Sequence, residues 1–106
     1  VAITGKRDIV ADGSRCCFID NGHEMLAGVT GTGCMTTSLV GTYCGATQDY
    51  FTGTVAGILS MGLAGELARE SLTATEGICT FRIRLFDSIY RLTPETIRAG
   101  GKLVAL

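Results

Sequence analysis

The chain has 106 residues, a length that fits one small domain, or a piece of a larger one, with only a modest core. Its formal net charge is -1 and its lysines are Lys6 and Lys102 alone, with the arginines scattered, so no basic stripe is available to hold nucleic acid or an anionic membrane surface. Cysteines at 16, 17, 34, 44 and 79 form no Cys-x-x-Cys and have no histidine at ligand spacing, which argues against a zinc site or a disulfide framework and fits a reduced, cytoplasmic compartment.

Val1 to Thr4 is a short β-branched run that ends at Gly5, the pattern of a buried strand feeding a loop. Residues 8–11 and 15–19 read as two further strands joined at Asp12-Gly13, a pair that tolerates positive φ and signals a hairpin. Asp20-Asn21-Gly22 supplies a second turn before Glu24-Met25-Leu26, so the first quarter of the chain is expected to be a β-meander at one edge of a sheet. From Thr32 the period becomes helical, with Met35, Leu39 and Tyr43 on one face, and this helix is expected to stop near Gly45.

A second helix is predicted from about Asp49 to Ser71. Glycines at 53, 57, 62 and 65 weaken its intrinsic propensity, so close packing must hold it together. Its apolar run and the small-xxx-small spacing of Gly53 and Gly57 also suit a membrane span, but Thr52, Thr54, Ser60 and Glu66 interrupt the run and favour a buried helix. Phe81, Leu85, Phe86 and Ile89 mark a third, amphipathic helix carrying an Asp87/Arg91 pair at i,i+4. Thr93-Pro94-Glu95 opens a short final helix that Gly100-Gly101 ends.

The informative motif is Val29-Thr30-Gly31-Thr32-Gly33-Cys34, placed immediately before a helix. Glycines let successive N–H groups turn toward one point, and a helix start leaves its first amides unpaired at the positive end of the helix dipole. The amides of Gly31, Thr32 and Gly33 therefore read as an anion hole for phosphate or a developing oxyanion, with a purely structural glycine-rich turn as the alternative. Cys34 lies in the mouth of that helix start, a position that favours thiolate chemistry. The run lacks the Gly-Lys-Ser/Thr ending of a P-loop, and glycines at 28, 31 and 33 do not make Gly-x-Gly-x-x-Gly.

Elsewhere the residues read as structure. His23, the sole histidine, follows Asn21-Gly22 and is taken as turn packing rather than as half of a Cys34/His23 dyad. Cys16, Cys17, Cys44 and Cys79 read as small buried apolar residues. Glu66, inside an apolar helix, needs a partner, either backbone near the cradle or an arginine such as Arg69.

Ile3-Thr4-Gly5, Asn21-Gly22-His23, Gly31-Thr32-Gly33-Cys34 and Ala64-Gly65-Glu66, in that order, resemble the C-terminal part of the hydroxyethylthiazole kinase family of the ribokinase-like superfamily. The resemblance runs from Val1 through Leu92. It implies an α/β, ribokinase-like, three-layer fold with a central, mostly parallel sheet, of which residues 1–106 are the C-terminal portion and carry the anion-hole half of a single kinase domain.

It further implies ATP-dependent phosphorylation of the hydroxyl of 4-methyl-5-(2-hydroxyethyl)thiazole in thiamine salvage, with Mg²⁺ as counter-ion. Cys34 stands where ribokinase-like enzymes carry the aspartate that takes the hydroxyl proton; Thr4 matches an ATP-contacting threonine and Gly31 a substrate-contacting glycine. No metal ligand stands out in this portion. A homotrimer is implied, with no nucleic-acid or membrane partner. One local departure falls at Gly77-Ile78-Cys79-Thr80-Phe81, where the family has Gly-Pro-Gly-Ser-Phe. The alternatives are another ribokinase-like kinase, for a vitamin precursor or a sugar, and a non-catalytic phosphate-binding fragment.

Overall fold

The computed structural model describes all residues 1–106. In chain order the elements are β1 (Ala2–Ile3), β2 (Asp8–Ala11), β3 (Cys16–Ile19), a 3-10 helix (Glu24–Gly28), α1 (Thr32–Thr47), α2 (Tyr50–Glu70), α3 (Ile78–Tyr90), α4 (Pro94–Gly100) and β4 (Leu103–Ala105). The strands form one sheet in the order β1-β2-β3-β4. Every pair in it is antiparallel. A mostly parallel sheet is therefore not what these strands make, and the reason is local. Connections as short as those between β1 and β2 and between β2 and β3 can only reverse the chain, because a parallel partner needs a long crossover.

The β2–β3 hairpin forms where Asp12-Gly13 predicts it, but by a different device. Positive φ occurs only at Gly22, Gly31 and Gln48, so neither Asp12 nor Gly13 adopts it. Instead the Asp12 carboxylate accepts from the amides of Ser14 (2.9 Å) and Arg15 (2.7 Å), folding the turn around its own side chain. The segment Glu24-Met25-Leu26, expected to complete the meander, is a 3-10 helix, because His23 Nδ1 accepts from the Met25 amide at 3.1 Å and starts a helical turn. The sequence reading has no counterpart of β4. Three apolar residues after two glycines carry no period, and the strand is seeded from outside by Asn21, whose Oδ1 accepts from the Lys102 amide at 2.7 Å.

The central element is α2. Residues 57–65 are all buried, with Phe81 and Leu85 of α3, Val29 and Ala68 packed around Met61 and Ala64 on one side. On another, Ile58 and Leu59 meet Val10, Cys17 and Ile19 of the sheet. A helix covered on several faces needs apolar residues all round, which is why Tyr50–Glu70 is also long and apolar enough to cross a membrane by length and composition. Within the fold, 67% of its most apolar window is buried.

The glycines of α2 have the packing role their cost demands. A Cβ at Gly53 would lie 2.7 Å from Cα of Cys44, and one at Gly57 would lie 2.6 Å from Cα of Val40. Backbone-to-backbone contact of α1 and α2 thus requires the missing side chains. α1 runs two residues past Gly45, to Thr47, and ends on Gln48 in the left-handed region at φ 58. Cys79 is exposed rather than buried, and Asp87 and Arg91 make no ion pair with each other.

Candidate active-site cleft

Gly31 caps α1 with φ 95 and ψ 0, a left-handed conformation that suits glycine, and its carbonyl accepts from the Met35 amide at 2.9 Å. The amides of Thr32, Gly33 and Cys34 donate to no protein acceptor, and no side chain caps the helix. A Cβ at Gly31 or Gly33 would meet nothing within 4 Å, so neither glycine is crowded, and Thr32 and Gly33 border open space. The cradle is held from behind. Thr32 Oγ1 donates to the carbonyls of Leu26 (3.0 Å) and Val29 (3.3 Å), and Val29 is buried in the core.

The polar first turns of α1 do not offer their hydroxyl protons to a ligand. Thr36, Thr37 and Ser38 donate to the carbonyls of Thr32, Gly33 and Cys34, four residues back. Cys34 is exposed on the first turn, and its thiol has no hydrogen-bond partner. No bond joins it to His23, whose Nδ1 is occupied by the Met25 amide.

An open cleft of about 1130 Å³ lies between the β1–β2 loop, the turn after β3, α1 and α2. It gathers Thr4, Thr32 and Gly33 along its wall, whereas Gly31 and Cys34 do not line it. The Thr4–Arg7 loop is fixed at its base: the Gly5 amide donates to Asp8 Oδ1 at 2.9 Å, and Arg7 grips both oxygens of Asp20 at 2.6 and 2.8 Å while lying over the Phe18 ring. Hydrogen bonds from Arg7 hold the Asp20 carboxyl below its ordinary range, while burial pushes that of Asp8 up.

The opposite wall rests on a polar network that sequence reasoning caught only at one end. Asn21, buried, donates from Nδ2 to Glu66 Oε2 (2.9 Å) and to the Gly100 carbonyl (2.9 Å). Glu66 also accepts from the Gly22 amide at 3.2 Å and from Lys102 Nζ at 2.9 Å. Burial pushes the Glu66 carboxyl up, but the donors Lys102, Asn21 and Gly22 outweigh it and hold the group below its usual value. Arg69 takes no part, and Glu66 meets one backbone donor, the Gly22 amide, beside the two side chains of Asn21 and Lys102. The only sequence signal for this network is a carboxylate stranded in an apolar helix; nothing in the chain announces Asn21 or Lys102 as its partners.

No group of three or more His, Cys, Asp or Glu side chains converges anywhere in the chain. Of the carboxylates along the cleft, both oxygens of Asp20 are taken by Arg7 and one of Asp8 by the Gly5 amide, which leaves Glu24 as the one with neither oxygen engaged. The residues present therefore do not make a cage for Mg²⁺.

The model of the hydroxyethylthiazole kinase family matches residues 1–95. The chain belongs to the hydroxyethylthiazole kinase family. It is 48% identical over 103 residues to a hydroxyethylthiazole kinase of Clostridium beijerinckii, covering 97% of this chain and 37% of that protein. It is 50% identical over 103 residues to one of Alkaliphilus metalliredigens, covering 97% and 38%.

Among solved structures, a hydroxyethylthiazole kinase protein from Pyrococcus horikoshii OT3 superposes with a TM-score of 0.89 at 37% identity, covering all of this chain and 40% of that one. The chain thus spans under half the length of the family members it matches. Within that shared span lie the Gly31–Cys34 cradle, Thr4 and the Asn21–Glu66 network.

Proposed function

We propose that the chain is the C-terminal portion of a hydroxyethylthiazole kinase, which transfers the γ-phosphoryl group of ATP to the hydroxyl of 4-methyl-5-(2-hydroxyethyl)thiazole in thiamine salvage. The observation that carries this reading is the set of three unpaired amides at Thr32, Gly33 and Cys34, of which the first two border open space, in a chain of this family. In this reading the strands here form the antiparallel edge of a three-layer ribokinase-like fold whose parallel strands lie outside residues 1–106. The assembly is a homotrimer in the cytoplasm.

Phosphoryl transfer asks the protein for positioning and for charge stabilisation more than for covalent chemistry. The helix-start amides, with Gly31 turned out of their way, stabilise the negative charge on the phosphoryl oxygens in flight. Gly31, lacking a side chain, lets the thiazole alcohol approach the backbone, and Thr4 Oγ1 contacts ATP. The alcohol oxygen bonds to the γ-phosphorus as the bond to the β,γ-bridging oxygen breaks, and ADP leaves with that electron pair. The hydroxyl proton passes to Cys34 Sγ, which must enter the step as a thiolate and leaves it as a thiol, while the new bond forms and not before, because an alcohol is too weak an acid to ionise first. Mg²⁺, for which residues 1–106 form no cage, would supply counter-charge to the phosphate oxygens of ATP.

The test is an assay of the protein that carries this chain for ATP-dependent phosphorylation of the thiazole alcohol, beside other vitamin-precursor alcohols and sugars. Turnover of the thiazole alcohol above the others is expected, and none with Mg²⁺ and ATP present refutes the proposal. Cys34→Ser is expected to depress turnover while ATP affinity stays near that of the parent. Equal loss of both would make Cys34 a structural residue.

A further inference from the structure

The proposed kinase mechanism uses the amide cradle and leaves two donors in the same cleft unexplained. Lys6, in the loop after β1, lines the cleft and takes part in no hydrogen bond or ion pair. Three carboxylates share the cleft with it and none pairs with it: both oxygens of Asp20 are held by Arg7, one of Asp8 accepts from the Gly5 amide, and Glu24 makes no ion pair. His23, on the other side of the β3 turn, also lines the cleft and is half-buried.

The ring of His23 has a defined tautomer. Nδ1 accepts from the Met25 amide, so in the neutral imidazole the proton is on Nε2. That Nε2–H meets no acceptor in the protein, so the side chain that caps the 3-10 helix also presents an unspent donor. The turn that carries it is anchored by the Gly22 amide on Glu66 and by Asn21 on Glu66 and Gly100. A donor on such a support loses little freedom when it binds.

We infer that Lys6 and the Nε2–H of His23 bind the phosphate chain of the nucleotide, forming a second, side-chain wall of the site that faces the ligand together with the backbone cradle of α1. This rests on the kinase reading and deepens it: the helix-start amides serve the phosphoryl group being transferred, and Lys6 and His23 serve the phosphates that stay on the nucleotide. An ammonium and a ring N–H recognise phosphate oxygens and have no equivalent partner on a nucleoside, so discrimination between the two is the signature to measure.

The experiment measures ADP and adenosine binding by calorimetry on the whole protein that carries this chain, as wild type, Lys6→Gln and His23→Asn. Asparagine is a good helix cap, so His23→Asn keeps an acceptor for the Met25 amide while deleting the Nε2 donor. Each variant is expected to weaken ADP by roughly tenfold, in keeping with one lost hydrogen bond to a charged group, with adenosine affinity and thermal midpoint unchanged.

ADP affinity equal to wild type in both variants, or ADP and adenosine weakened alike, overturns the assignment. If wild type binds ADP but the whole protein phosphorylates no thiazole alcohol, the substrate reading falls and the phosphate wall stands on the variant data. If wild type binds neither nucleotide, both fall.

Discussion

Gly57 makes the sharpest demand of any single position, because two ordinary rules give opposite signs for Gly57→Ala. Helix propensity favours alanine in the middle of α2 by about 1 kcal/mol. Packing opposes it: the new Cβ would stand 2.6 Å from both the backbone nitrogen and Cα of Val40 and 2.7 Å from its Cγ2. Two of those three atoms are backbone, so no rotamer change relieves the clash, and α1 must move away from α2.

Overpacking of this kind costs roughly 1–3 kcal/mol, and displacing a whole helix belongs at the upper end. The expected net effect is a destabilisation of about 1–2 kcal/mol after the propensity gain is subtracted. The control is Gly45→Ala on α1, where a Cβ meets nothing within 4 Å and propensity acts alone, predicting a gain of about 0.5–1 kcal/mol. Urea unfolding of both variants in the protein that carries this chain measures the pair. Gly57→Ala as stable as wild type would refute the claim that the α1–α2 interface is set by backbone contact.

Glu66→Ala strands Asn21 Nδ2, which then keeps only the Gly100 carbonyl, and frees Lys102. A loss of about 1–3 kcal/mol is expected in the same unfolding assay. Because the Glu66 carboxyl is held below its unfolded value, its contribution is complete above that value and is lost as pH falls through the folded one. The wild-type advantage over Glu66→Gln should therefore shrink on acidification below about pH 4, and an advantage that grows there would contradict the network.

Arg15 joins Asp12 and Asp49 and lies over Phe51; the Ser14 amide, then the Arg15 guanidinium and the Arg15 amide, hold Asp12 down to about 2. The sign is again that of a depressed carboxyl, so the difference between wild type and Arg15→Met in thermal midpoint should be flat above about pH 4 and begin to shrink toward pH 2, with Asp49, held lower still by Arg15, keeping part of it there. Phe81→Ala removes a fully buried ring between α2 and α3 and should cost about 3–5 kcal/mol, measured by urea unfolding.

Helices α2, α3 and α4 were legible because their signals are local and redundant. Pro94 opens α4 behind Thr93, whose hydroxyl accepts from the Thr96 amide as a cap should, and Phe81 and Leu85 are the buried pair of α3. What escaped depended on partners far along the chain. β4 exists because Cys17, Phe18 and Ile19 offer it an edge, and no window around Leu103 contains that information. The antiparallel direction of β1 to β3 was legible from the short turns that predict a meander; the mostly parallel sheet implied by the family resemblance is not what these strands form.

At the site, the glycines and the helix start were readable at Gly31 to Cys34, since positive φ and unpaired amides are local consequences of the residues there. The cleft was not, because its walls come from the β1–β2 loop, the β3 turn and two helices. Thr36, Thr37 and Ser38 show the limit plainly: nothing in their polarity says whether they face a ligand or their own helix, and their hydroxyls serve the helix backbone.

The bond between Asn21 and the Lys102 amide closes a span of 81 residues, and Asn21 also borders the cleft. During synthesis the chain emerges from its first residue onward, so β2, β3 and α1 can fold while the segment that braces the cleft is still inside the ribosome. The cleft wall at Asn21-Gly22-His23 therefore acquires its full support only after residue 102 has been released. A nascent chain halted before that point carries the anion cradle without a finished pocket beside it.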